Sequence, residues 1–278
     1  MIEHKVFQNK NGSRIGYYLN PTNAGNAYGG YNPSSGVFSM ENHRASIRSG
    51  KWPVYQQELG IHLDFGDVNC CDVPKYTVTD LKTLLVRGDL VNGASLSSVG
   101  EGSVLFNGAN QQITLEQNFI SILGNRPFTF EIWQYRTEQA VVGSNGISFA
   151  SELSSTAGLF QIGVTPGSPS TLFAKFYDGT IYTTVGVSYA DLNKWVHLVV
   201  TRDALGNVKI YANYTTSNTS NTGIGYALSS GNTVIGRNPS TNNERFIGYV
   251  AGFRYYAKQL SDAEVLVNFN CQRQRFEI

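Results

Sequence analysis

The chain has 278 residues, a net charge of +1, only 15% charged residues and 29 glycines, which suits one large β domain plus an extension rather than a helical or fibrous protein. No basic stripe points to nucleic acid and no acidic tail to a cationic partner, so neither is expected. No apolar run approaches the roughly 20 residues of a membrane span, and the opening MIEHKVFQNK is too polar for a signal-peptide core.

Residues 1–59 have their own texture. Asn20 to Gly36 is almost entirely turn-forming, and Asn42 to Gly50 adds scattered positive charge. Such a segment buries too little apolar surface to fold alone and is either a tail or an arm that orders on a partner. Tyr17, Tyr18, Tyr28, Tyr31, Phe38 and Trp52 favour an assembly arm, because those rings would be wasted on a solvated linker. Short strands are expected at Ile15–Leu19 and Val37–Met40.

From residue 60 to 278 the pattern is that of a β domain. Ile61–Phe65 alternates apolar and polar residues as a first strand, followed by a loop-rich excursion from Asp67 to Asp89. Gly102–Leu115 gives two short strands around an Asn-Gly turn. Pro127–Tyr135, Ser148–Ser151, Leu159–Val164 and Leu172–Tyr177 follow, and Asp178-Gly179 signals the turn before Ile181–Val185. Trp195–Asn213 reads as a central hairpin, with Asp203 to Asn207 as its loop. Both faces of its first strand are apolar, which places that strand inside a sheet covered on both sides. Asn232–Gly236 and Phe246–Tyr256 complete the strands.

One helix is signalled. Ser261 and Glu264 form a capping box, Leu260 and Val265 a hydrophobic staple, and Val265, Leu266 and Phe269 would face the sandwich. The predicted fold is therefore all-β: an antiparallel β-sandwich or jelly roll with an N-terminal extended arm and one short C-terminal helix.

Cys70 and Cys71 are adjacent and Cys271 is distant, which is no disulfide framework; three free thiols in a reducing cytoplasm is the simpler reading, and a bridge from Cys271 stays open.

Several landmarks fall in a recognisable order. They are Asp80-Leu81, the Gly102–Gly108 element with Phe106, Phe128-Thr129 with Trp133, and Trp195-x-His197 with Thr201-Arg202. Phe246-x-Gly248 with Arg254-x-Tyr256 and Leu260-Ser261-x-x-Glu264 close the series. Together they resemble the laminin G-like, concanavalin A-like jelly-roll family over about residues 60 to 270. The ending Asn268 to Phe276 resembles the helix-plus-tail of such domains in virion proteins of large tailed phages. That resemblance implies a structural or decoration protein of a virion, assembled in the host cytoplasm, with other virion proteins as partners and several copies or a homo-oligomer per particle.

Glycosidases on the resembled fold carry alternating acids on one strand, because two carboxyls about 5 Å apart are needed for retention. Glu131 stands between Phe130 and Ile132 without such a neighbour, and Asp64 and Asp67 lack a third acid. A non-enzymatic chain is expected, with Glu131 a paired or rim residue. His4, His43, His62 and His197 form no i,i+4 pair, so no zinc site is expected. The resemblance raises calcium, for which Asn107 and Asn110 are the candidates, but amides in place of acids weaken such a site; no cofactor is assigned. Asn238, Asn242, Asn243 and Glu244 form a further polar loop. For a host-surface glycan, aromatic rings beside polar groups single out Tyr177, Asp178 and Tyr182, together with Asn213 and Tyr214. Two functions stay open: a virion structural protein, and a glycan-binding adhesin.

Overall fold

Alternation along the strands sorts the chain into layers. In this computed structural model the described residues are 5–8, 14–18, 37–38, 58–72, 75–116, 126–140, 143–154, 157–167, 169–177, 182–189, 192–221, 232–241 and 243–278. Tyr28, Tyr31, Trp52 and Asp178 lie outside them, and Tyr17, Tyr18 and Phe38 are described by their backbone only. Two compact units result: Gly60–Leu260, and Met1–Leu59 with Ser261–Ile278. The expected boundary at 59/60 put the C-terminal helix with the downstream domain, whereas residues 261–278 group with residues 1–59.

In the second unit β1 (Lys5–Gln8), β2 (Arg14–Tyr18) and β3 (Val37–Phe38) pair antiparallel as a small sheet. In the large unit the early strands are β4 (Leu59–Asp64), β5 (Cys71–Asp72), β6 (Thr77–Thr79), β7 (Val86–Val91), β8 (Ser95–Ser97), β9 (Ser103–Asn107) and β10 (Gln112–Leu115). The middle strands are β11 (Phe128–Arg136), β12 (Gly146–Ser154), β13 (Ala157–Val164), β14 (Thr171–Tyr177) and β15 (Tyr182–Ser188). The hairpin β16 (Trp195–Arg202) and β17 (Asn207–Ala212) comes next, then β18 (Thr216–Asn221), β19 (Asn232–Ile235) and β20 (Ile247–Tyr256).

They form two antiparallel sheets. One has the order β15-β14-β13-β12-β19-β10-β7-β6-β5; the other has β18-β17-β16-β11-β20-β9-β8, with β4 added to β20. The sheets bury a shared interior, as a sandwich requires. Phe130 on β11 is the link between them: its ring centroid lies 5.1 Å from Phe149 on β12 and 5.0 Å from Phe160 on β13. Phe253 on β20 stacks on Phe149 at 5.2 Å. All eight residues of β16 are buried, which is what its two apolar faces predicted.

Three features depart from the sequence reading. The Asp67–Asp89 excursion contains β5, β6 and the start of β7, because buried Asp80 pins it: Oδ1 accepts from the His62 and Lys82 amides at 2.9 and 3.0 Å, and Oδ2 from Thr83 Oγ1 at 2.7 Å. The Asn107-Gly108 turn passes the chain from one sheet to the other, since β9 pairs with β20 while β10 pairs with β7 and β19. Finally β18, sequence TSNTSN, is an added edge strand on β17 that no apolar alternation announces.

Two glycines stand at the two ends of the loop between β19 and β20, Gly236 just after β19 and Gly248 near the start of β20. Gly236 has φ +103 and a Cβ there would lie 2.3 Å from the Phe106 ring; Gly248 has φ +140 and a Cβ would lie 2.0 Å from the Tyr135 carbonyl oxygen. A side chain at either position meets both strain and collision. In the other unit, α1 (Asp262–Gln272) starts with the predicted capping box: Ser261 Oγ accepts from the Glu264 amide at 3.3 Å, and Glu264 Oε2 accepts from the Ser261 amide at 2.8 Å. Val265 and Phe269 are buried and Leu266 is half-buried.

Candidate functional site

The period-2 geometry of β14 and β15 sends Phe176, Val185 and Val187 into the core, and so turns Tyr177, Lys175 and Tyr182 outward. Tyr177 and Tyr182 face each other directly across the two strands. Their rings stack with centroids 4.2 Å apart and planes 18° from parallel. Lys175 Nζ sits 4.4 Å from the Tyr182 centroid, a cation–π contact on the same ring. Tyr182 keeps 53% of its surface exposed. The arrangement offers water a wide aromatic edge with one ammonium group.

Asn213 and Tyr214 do not join that pair. Both have left-handed backbone, φ 51 and 59, in the tight turn between β17 and β18. Asn213 Oδ1 accepts from the His197 amide at 2.8 Å, and its Nδ2 donates to Tyr189 Oη at 3.2 Å. The amide thus closes the open end of the central hairpin. Tyr214 lies parallel to Tyr211 at 6.4 Å. Tyr189 follows the end of β15 and Tyr182 begins it, so the two groups stand roughly 20 Å apart at opposite ends of the sandwich. Asn213 and Tyr214 therefore belong to a different rim.

The calcium candidates Asn107 and Asn110 lie exposed at the end of β9 and in the turn before β10. Asn107 Oδ1 accepts from the Ala109 amide at 2.9 Å, and the Asn110 carbonyl accepts from Asn92 Nδ2 at 2.8 Å. Glu244 is similarly filled, taking Asn145 Nδ2 at 2.7 Å and Asn238 Nδ2 at 2.6 Å. Among the described residues no three His, Cys, Asp or Glu side chains gather.

The outward face of the other sheet holds a cluster that local sequence patterns do not reveal. Cross-strand register sets Glu131 beside Val199 on one side and Arg254 on the other, with Trp133 opposite His197. Arg254 Nη1 donates to Glu131 Oε2 at 3.2 Å, Tyr256 Oη donates to the same oxygen at 3.4 Å, and His197 Nε2 is 3.6 Å from Glu131 Oε1. Trp133 stacks on the His197 ring at 4.6 Å. All five side chains are fully buried. Burial lowers the proton affinity of His197, and the Arg254 charge adds to that, while Glu131 opposes it. His62, outward on β4, is pushed down to about 4, first by burial and then by Arg254. Of the two alternatives that the sequence left for Glu131, a paired or a rim residue, the structure shows the paired one.

Solved structures share this architecture. The binding domain of Paraclostridial Mosquitocidal Protein 1 superposes with a TM-score of 0.59 at 16% identity, covering 76% of this chain and 52% of that one. Domain 4 of AbnA, a GH43 extracellular arabinanase from Geobacillus stearothermophilus in complex with arabinotriose, gives 0.54 at 14% identity, with coverage of 77% and 98%. A botulinum neurotoxin type C structure, whose cell entry depends on interaction with two ganglioside molecules, gives 0.57 at 18% identity, with coverage of 82% and 52%. This chain spans about half the length of the two toxin chains, and at such identities the likeness is one of fold. No curated protein sequence matches it. A model of the concanavalin A-like lectin/glucanases superfamily, of laminin G type, matches residues 107–266, more than half of the sequence. The chain belongs to that superfamily.

Proposed function

We propose that this chain is a non-enzymatic glycan-binding jelly roll, carried as a structural protein of a tailed-phage virion and presented to host-surface polysaccharide. The observation that carries the glycan reading is the stacked Tyr177–Tyr182 pair with Lys175 beside it, Tyr182 exposed and the other two half-buried at the end of an otherwise packed sheet. An aromatic edge presses on the apolar face of a pyranose, while the ammonium donates to its oxygens. The arabinotriose bound by the arabinanase domain and the gangliosides of the neurotoxin support the same reading by analogy of fold. The non-enzymatic part rests on Glu131: a carboxylate that is 1% exposed and held by Arg254 and Tyr256 cannot reach a glycosidic oxygen. The virion setting rests on the resemblance of residues 268–276 and on the aromatic content of residues 1–59.

Titration of the full chain against a panel of bacterial surface polysaccharides is the test. Binding that falls at least about tenfold in Tyr182→Ala and in Tyr177→Ala, with the melting temperature lowered by no more than about 4 °C, is expected. Absence of binding to any glycan would end the proposal, and release of reducing sugar would end its non-enzymatic half. Mass spectrometry of purified particles checks the virion setting; absence of the chain from them would remove it.

A further inference from the structure

The rim opposite Tyr177–Tyr182, where β11 ends and β12 and β20 begin, carries a second feature. A small crevice that opens to solvent, with room for about one water-sized atom such as a single oxyanion oxygen, is lined among others by Arg136, Glu138, Gln139, Gly146 and Arg245. Arg136 is only 2% exposed and its Nη2 donates to the Tyr189 carbonyl at 3.4 Å. Arg245 Nη1 donates to the Gly108 carbonyl at 3.0 Å, whereas its Nε is buried with no hydrogen-bond partner. No carboxylate among the described residues pairs with Arg245. Glu244, its neighbour in sequence, is taken by two asparagine amides. Arg237 bridges to Arg245 through the backbone, and its proton affinity is lowered by burial and then by the Arg245 charge. Gln139 Oε1 accepts from Ser170 Oγ at 2.9 Å, which leaves its amide NH2 as a donor at the mouth.

A buried donor without an acceptor, two guanidinium groups and a spare amide beside an open notch are what an oxyanion attached to a sugar requires. The planar guanidinium fork matches carboxylate or sulfate oxygens, and the Gln139 amide suits a neighbouring hydroxyl. We propose that this notch receives the anionic group of an acidic glycan, with Arg245 as the recognising cation. The inference rests on the glycan-binding reading above and adds the ligand's charge and a second point of attachment.

The test uses the full chain and three probes: a uronate oligosaccharide, its carboxyl-reduced neutral counterpart, and a sulfated oligosaccharide of equal length. At low salt the better anionic probe binds about tenfold tighter than the neutral one. Whether uronate or sulfate leads identifies the source of the oxyanion. Arg245→Gln removes the preference, Glu138→Gln at the exposed mouth widens it about twofold, and Tyr182→Ala leaves the charged-to-neutral ratio unchanged. A ratio near one, or a ratio that survives Arg245→Gln, overturns the notch while leaving glycan binding intact. Should Arg245→Gln fail to fold, Glu138→Gln and Glu138→Arg still have to raise the ratio, and failure to do so is equally decisive. If no oligosaccharide binds, the glycan reading falls first. Free glucuronate or sulfate then probes the notch directly through the amide signals of residues 137–140 and 245–247, and unmoved signals overturn it.

Discussion

The two sheets each turn aromatic and cationic side chains outward, and they use them oppositely. On β11, β16 and β20 the outward row Glu131, Trp133, His197, Arg254 and Tyr256 is dry, and Arg254, Tyr256 and His197 converge on the Glu131 carboxylate. On β14 and β15 the row Lys175, Tyr177 and Tyr182 is wet, with its cation over a ring rather than a carboxylate. The same residue types therefore serve cohesion in one place and stand ready for a ligand in the other. Water access makes the difference, because it sets what an unpaired charge costs.

Breaking the dry row should cost most. Glu131→Gln leaves Arg254 buried without its counter-charge, and removing one partner of a buried pair destabilises by about 3–5 kcal/mol. For a domain of this size that lowers the melting temperature by roughly 10 °C, measurable by calorimetry. The double change Glu131→Leu with Arg254→Met should recover most of the loss, since replacing both ions avoids the orphaned charge. A loss below about 1 kcal/mol in Glu131→Gln would mean that the cluster is hydrated and that the contrast with the other sheet is false.

Acid should loosen this row and its neighbour His62 on β4 next. His62 faces Arg254 on β20, Asp64 on its own strand, Asp80 in the turn after β6 and Glu131 on β11, and its proton affinity is lowered to about 4. A base whose folded value is depressed binds its proton first in the unfolded chain. Stability is then complete above the unfolded value near 6.5 and is lost as pH falls from there toward about 4, by at most about 3 kcal/mol for this group. His197, lowered in the same direction, adds to the loss. Urea unfolding between pH 7.5 and 4 checks the slope, and His62→Gln should flatten it. A stability that stays level over that range would contradict the buried, neutral state of both rings.

How much of this contrast could be read from the sequence follows from the range of the forces involved. The wet row was legible in part: two strands, Leu172–Tyr177 and Ile181–Val185, on either side of an Asp178-Gly179 turn signal brought Tyr177 and Tyr182 together, whereas Lys175, whose contact with the Tyr182 ring depends on cross-strand register, was missed. The hairpin at Trp195 and the capping box at Ser261 were legible for the same local reason. Only the isolation of Glu131 hinted at pairing; its partner Arg254 is 123 residues away and arrives through register. The place of Asn213 at the end of the hairpin was not legible, because its side-chain bonds to His197 and Tyr189 span 16 and 24 residues and no local pattern reports them. β18 was invisible because an edge strand of Thr, Ser and Asn buries no alternating apolar face.

Disturbing the wet row should cost least in stability and most in recognition. Tyr182 is half exposed, so Tyr182→Ala forfeits one ring stack and one cation–π contact, together about 1 kcal/mol or less. A double-mutant cycle with Lys175→Met separates the two parts: a coupling of about 0.5 kcal/mol or less marks a solvent-screened contact. If the pair exists to meet a sugar, Lys175→Met should weaken glycan binding several-fold while leaving the unfolding midpoint within error, a combination that packing alone does not produce. A coupling as large as that of Glu131 with Arg254 would instead assign Lys175 and Tyr182 to cohesion, and the two sheets would then differ in degree rather than in kind.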